Sequence, residues 1–156
     1  MGWKENSVVE KVLPGLFRIE VPLPQSPLKA LNSYVIKGSG RNLIIDTGLN
    51  RKECHAALQA GLAELNVDLS KTDIFLTHSH ADHSGLIGRL SPYVGSISCG
   101  RPDKEILESW SGWDAVIEYA DRNGFPRGEL EEALSKHPGN KYRTESIPVI
   151  TAVNDG

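Results

Sequence analysis

Apolar and polar residues alternate through Phe17-Arg18-Ile19-Glu20-Val21, a period of two that turns one face of a strand to a core and the other to water. The pattern predicts two strands, Val8 to Leu13 and Leu16 to Val21, about the Pro14-Gly15 turn. Pro22, Pro24 and Pro27 keep Leu23 to Leu28 out of a helix or a central strand, so this segment reads as a loop at the rim of a site. Leu31 to Lys37 is a third strand. Gly38-Ser39-Gly40 is a turn and not a phosphate loop, because no helix follows it. The unbroken run Leu43-Ile44-Ile45 predicts a strand covered on both faces. The period then changes. Asn50 caps a helix with Glu53 at its third position, and Cys54, Ala57, Leu58, Gly61, Leu62 and Leu65 share its apolar face. Cys54 reads as core packing and His55, on the polar face, as solvated surface.

Asp73 to Leu76 is a short buried strand, Ser84 to Leu90 a short helix and Val94 to Ser98 another strand. From Arg101 to Tyr142 the chain turns helical, with helices at about Pro102–Trp110, Asp114–Asn123 and Gly128–Lys136. Trp110, Trp113, Tyr119, Phe125 and Tyr142 gather here. Core packing is the simpler reading of each aromatic; residues 101–142 as a whole can also form an inserted lid that shapes a substrate pocket. A last strand, Ile147 to Val153, runs into Asn154-Asp155-Gly156, a hairpin-turn signal. The chain carries no internal repeat or linker, and a length of 156 residues suits one domain.

Composition narrows the classes. The net charge of −3 comes from mixed signs, with no basic stripe between aromatics, so nucleic-acid binding has no direct support. No apolar run approaches membrane-spanning length. Met1 to Glu5 lacks the apolar stretch of a secretory signal. Cys54 and Cys99 stand outside any Cys-x-x-Cys spacing. The expected location is the reducing cytoplasm.

The candidate chemistry lies in Thr77-His78-Ser79-His80-Ala81-Asp82-His83, where three of the five histidines fall within six residues of one another. Imidazole nitrogens beside a carboxylate suit a zinc-like ion. If the strand runs on, alternation turns His78 and His80 to one face and Ser79 and Ala81 away. Asp82 and His83 then fall in the turn that opens the next helix and face a second ion. Two ions about 3.5–4 Å apart can clamp a hydroxide and present it at neutral pH. No thiol or hydroxyl nucleophile is then needed. Asp82 is also a candidate catalytic residue, steering the attacking water.

The motif resembles the His-x-His-x-Asp-His signature of the metallo-β-lactamase superfamily, and Leu43-Ile44-Ile45-Asp46-Thr47-Gly48 resembles that family's strand ending in Asp-Thr-Gly. The resemblance spans about residues 8 to 100. It implies an α/β (α+β) fold, the αββα sandwich. It also implies that His78 and His80 bind one metal, Asp82 and His83 a second, and that Asp46 orients the motif from outside. Zinc is the expected metal, with two ions in the complete site and iron or manganese as alternatives. The family's further His, bridging Asp and last His have no counterpart here. His137, in Ser135-Lys136-His137-Pro138-Gly139, reads instead as a cation at a helix end. The expectation is therefore a single domain over 1–156, cut at the last turn, holding the N-terminal half of a two-metal hydrolase. Its substrate would be a small ester, thiolester, lactone, lactam or phosphodiester. An iron-dependent oxidoreductase and an inactive fragment are the competing readings. Uncovered sheet edges predict a homo-oligomer or other association.

Overall fold

The computed structural model describes residues 8–110 and 112–155; the expectations for Met1 to Glu5 and for Gly156 lie outside the described residues. Seven strands form one mixed sheet whose spatial order equals their order in the chain. Short turns fold β1 (Val9–Leu13), β2 (Leu16–Pro22), β3 (Ala30–Lys37) and β4 (Asn42–Ile45) into an antiparallel meander. After β4 the direction stops reversing. β5 (Thr72–Leu76), β6 (Ile97–Gly100) and β7 (Thr151–Val153) run parallel to β4, because each link now carries helices across the sheet. The crossovers are α1 (Lys52–Glu64), then α2 (Ala81–Ser84) and α3 (Ile87–Leu90), then α4 (Arg101–Ser109), α5 (Asp114–Arg122), α6 (Arg127–Ser135) and α7 (Pro138–Lys141).

Alternation decides which face is covered. Ile19, Val21, Val35, Ile44, Ile74, Leu76 and Cys99 are wholly buried, and they join Cys54, Leu58 and Leu62 of α1 with Leu86, Ile87 and Leu90 in one core. Burying each such aliphatic chain contributes about 1.5–3 kcal/mol. Gly61 lets α1 close on β2: a Cβ there would stand 2.7 Å from side-chain carbons of Ile19. On the opposite face Leu43, Ile45 and Phe75 are only half-buried, so β4 is not covered on both faces as its unbroken apolar run suggested.

Other expectations shift at their ends. Asn50 does not cap α1. Arg51 takes that place without a side-chain cap, while the Asn50 amide donates to the Arg143 carbonyl at 3.0 Å and its Oδ1 accepts from Arg89 at 2.6 Å. A tertiary role for that amide displaced the local one. The helix expected over Ser84 to Leu90 is two single turns broken at Gly85-Leu86, and it begins earlier, at Ala81. The strand expected from Val94 starts only at Ile97. The last strand keeps just Thr151–Val153 of its expected span. Ala57 aside, which is only half-buried, the apolar face drawn for α1 is the buried one, but His55 is half-buried rather than freely solvated. In the helical region Leu107 and Ile117 are buried, whereas Tyr119 and Phe125 are 72% and 60% exposed. These two aromatics therefore do not pack as core; Tyr142 alone of the five packs against it.

Candidate metal centre

β5 ends at Leu76 and the chain bends through Thr77, His78 and Ser79 before His80 opens α2. The expected extended continuation is absent, and the bend itself brings the imidazoles together. The ring centres of His78 and His80 lie 4.5 Å apart, and those of His78 and His83 lie 4.0 Å apart. Asp82 stands beside them, its Oδ2 3.5 Å from Nε2 of His83. All four ligand candidates, His78, His80, Asp82 and His83, thus share one corner at the carboxyl end of the parallel strands. His83 reaches across to His78 rather than facing away from it.

Asp46 holds the corner from β4's end. It is 4% exposed and adopts a left-handed backbone (φ 61°), a conformation that Asp tolerates better than most residues. Its Oδ1 accepts from the Thr77 backbone N–H at 2.9 Å. Its Oδ2 accepts from the Thr77 hydroxyl at 2.8 Å and from His83 Nδ1 at 2.8 Å. Two tautomers follow. The Nδ1–H of His83 is committed to Asp46, which leaves its Nε2 lone pair free. Thr77 spends its one proton on Asp46, so its 3.0 Å contact with His78 Nδ1 needs the imidazole as donor, and Nε2 of His78 is freed as well. The neighbouring Thr47 clamps the motif from behind. Its N–H and its hydroxyl both donate to the His83 carbonyl at 2.8 Å. Gly85 is the point of closest approach, since a Cβ there would fall 2.5 Å from the Asn50 nitrogen and 2.7 Å from the Gly48 carbonyl oxygen.

The electrostatics follow the contacts. Burial lowers the His78 pKa, and the neighbouring imidazoles of His83 and His80 lower it further, which favours the neutral, ligating form. Burial pulls His83 down too, but the hydrogen bond to Asp46 and the charges of Asp46 and Asp82 outweigh it and raise its pKa. Burial pushes the Asp46 carboxyl up, and the hydrogen bonds from His83 and Thr77 more than offset that, leaving it below the usual carboxylate range.

The corner opens into a cavity of about 550 Å³. Leu23, Pro24 and Leu49 form one wall and Ile106, Trp110 and Trp113 another, with His80 and Asp82 at the motif end and Arg143 also at the surface. The Leu23–Leu28 loop therefore does border the site, as do two of the aromatics. His137 also lines the cavity, and the contact it makes is a cap at the start of α7: its Nδ1 accepts from the Gly139 N–H at 3.1 Å. α4 is tied to the motif by Asp103, which accepts from the Ser79 N–H at 2.8 Å. Thr77, Asp103 and Arg143 were not singled out from sequence. Only Thr77 had a signal there, its place at the head of the motif.

Three neighbouring imidazoles, two with Nε2 freed, and a carboxylate are donors that suit a divalent ion. Among the described residues, however, no three His, Cys, Asp or Glu side chains form a ready ligand set. The donors fit such an ion, and the shell they offer is open.

Comparison with known proteins bears on this corner. A family model described as the metallo-beta-lactamase superfamily matches residues 28–139. The probable metallo-hydrolase YqjP of Bacillus subtilis is 51% identical over 62 residues, 39% of this chain and 19% of that protein. An atrochrysone carboxyl ACP thioesterase of Emericella nidulans is 38% identical over 77 residues, 49% of this chain and 24% of that protein. Among solved structures, a metallo-beta-lactamase family protein of Thermus thermophilus superposes with a TM-score of 0.74 at 26% identity, covering 94% of this chain and 48% of that one. A beta-lactamase domain protein of Burkholderia ambifaria has the same fold, with a TM-score of 0.71 at 15% identity over 95% of this chain and 44% of that one. The chain matches less than half the length of each of these proteins.

Proposed function

The chain belongs to the metallo-β-lactamase superfamily, and from that premise we propose that it serves a metal-dependent hydrolase acting on a small ester or thiolester. One observation carries the reading: His78, His80 and His83 crowd one corner, and Asp46, directly and through Thr77, engages Nδ1 of two of them, so that Nε2 is the nitrogen each neutral ring offers to a metal. His78 and His80 would hold one ion, and Asp82 with His83 a second. Zinc is the proposed metal. A bound divalent ion supplies Lewis acidity and acidifies water at neutral pH. Asp82 orients the attacking water, Asp46 keeps His83 in its ligating tautomer, and the apolar walls at Leu23, Leu49 and Ile106 receive the acyl group while excluding bulk water. The remaining ligands would come from outside residues 1–156. A thiolester is favoured over a phosphodiester by the apolar cavity, and by a relative named as an acyl-carrier thioesterase.

Elemental analysis and calorimetry test the metal. Zinc is expected to bind the chain in stoichiometric amount and to be lost in His80→Ala; iron or manganese in its place overturns the choice of metal. Hydrolysis of an aryl thiolester by the zinc-loaded product of the full reading frame, abolished by chelation, tests the reaction. A loaded protein inert towards esters and thiolesters overturns it.

A further inference from the structure

The chain has eight arginines, and seven of them pair with a side-chain oxygen. Arg18, Arg41, Arg51, Arg89, Arg122 and Arg127 meet carboxylates, and Arg101 donates to the Asn154 amide oxygen. Arg143 is the exception. It lines the cavity, it is half-buried, and among the described residues it pairs with no carboxylate. Its guanidinium carbon lies 4.3 Å from the centre of the Trp110 ring. Stacking of that kind satisfies the face of the guanidinium and leaves its N–H edge unused. The backbone beneath it is fixed, because the Asn50 amide binds its carbonyl at 3.0 Å. Asp82, the one carboxylate lining the cavity among the described residues, makes no ion pair with it. An arginine desolvated without an anion is costly unless a ligand brings one.

We infer that Arg143 is an anion anchor for the substrate, and that the cavity takes an organic anion: an apolar body bearing a carboxylate or phosphate that reaches Arg143. The geometry of the fork suits either oxyanion by paired N–H···O bonds. Trp110 positions the fork, and the walls at Leu23, Leu49 and Ile106 hold the apolar body. Arg143 is thus a specificity-determining residue and not a catalytic one. The inference takes the histidine corner as the reacting end, and in that respect rests on the hydrolase reading. Its test does not.

Binding of 2-naphthoate, 2-naphthyl phosphate and neutral 2-naphthamide is measured by calorimetry on the chain in excess EDTA. Chelation removes any metal that could capture the anion, so a failure of the metal reading leaves this result untouched. At least one anion is expected to bind about tenfold or more tightly than the amide, and the tighter of the two identifies the oxyanion. Arg143→Gln is expected to erase that preference, the anion binding no more tightly than the amide measured on the same variant, and Arg143→Lys to restore part of it. In the unmodified chain the Arg143 Nε–H resonance is expected to shift with the anion and not with the amide, a readout that needs no variant to fold. Equal binding of all three probes, a preference that survives in Arg143→Gln, or no binding at all overturns the assignment.

Discussion

Asp46 gathers the motif's side-chain contacts on two oxygens. Three donors reach it, two from Thr77 and one from His83. Asp46→Asn keeps the shape but offers an N–H₂ where one acceptor was. Loss of an outer partner of this kind is expected to weaken zinc binding about 10- to 100-fold, measured by competition with a chromogenic chelator. The same contacts set a pH signature in the metal-free chain. By NMR, His78 is expected to titrate below its ordinary value of 6.5 and His83 above it. A raised imidazole stabilises the fold below its unfolded pKa, and that contribution is lost as the pH rises through the folded value. A lowered carboxyl stabilises above 3.8 and loses its contribution as the pH falls through its folded value. The Asp46–His83 pair therefore supports the metal-free fold most between those limits, and Asn at 46 should bring the His83 titration back below its present position. His78, His80, Asp82 and His83 were legible in the sequence because close spacing carries the signal. Asp46 could be placed only through the resemblance, and Arg143 could not be placed at all, since its meaning depends on partners far from it in the chain.

The elements that sequence located well are those whose pattern is long and backed by turns. Phe17 to Val21 alternates, Pro14-Gly15 and Gly38-Ser39-Gly40 interrupt, and β2 and β3 follow closely. Ends were less legible. At Asn50 the local capping rule lost to contacts with Arg89 and Arg143, residues about 40 and 90 positions away that no local window contains. The helices between β6 and β7 were expected as three, and the single turn α7 escaped notice because Pro138-Gly139 resembles a stop signal. Packing between elements gives a prediction of its own. Gly61→Ala raises helix propensity by about 1 kcal/mol, but it drives a methyl into Ile19, which is wholly buried and cannot yield. Overpacking of this sort costs about 1–3 kcal/mol, so a net loss of up to about 2 kcal/mol is expected in chemical denaturation. Ile19→Val in the same chain should return part of it; a Gly61→Ala variant more stable than its parent would refute the packing argument.

At the scale of the molecule, the family and the mixed α/β class were readable because one short motif and one strand-end carry them. The cavity was not. It joins Leu23, Leu49, His80, Ile106, Trp110 and Arg143, six residues spread over most of the chain and brought together only by the crossovers. Even so, the proline-rich loop was expected at a rim because its prolines bar helix and central strand, whereas Trp110 and Trp113, each read more simply as core, line the cavity instead.

The strand order has one more consequence, for synthesis. A sheet whose neighbours in space are neighbours in the chain never needs a late strand wedged between two early ones. As the polypeptide leaves the ribosome, every new strand meets a finished edge, so assembly can keep pace with translation. Nascent chains stalled once β5 has emerged are expected to protect the β2 and β3 amides from hydrogen exchange; amides left open until β7 appears would show that the sheet instead waits for its last strand.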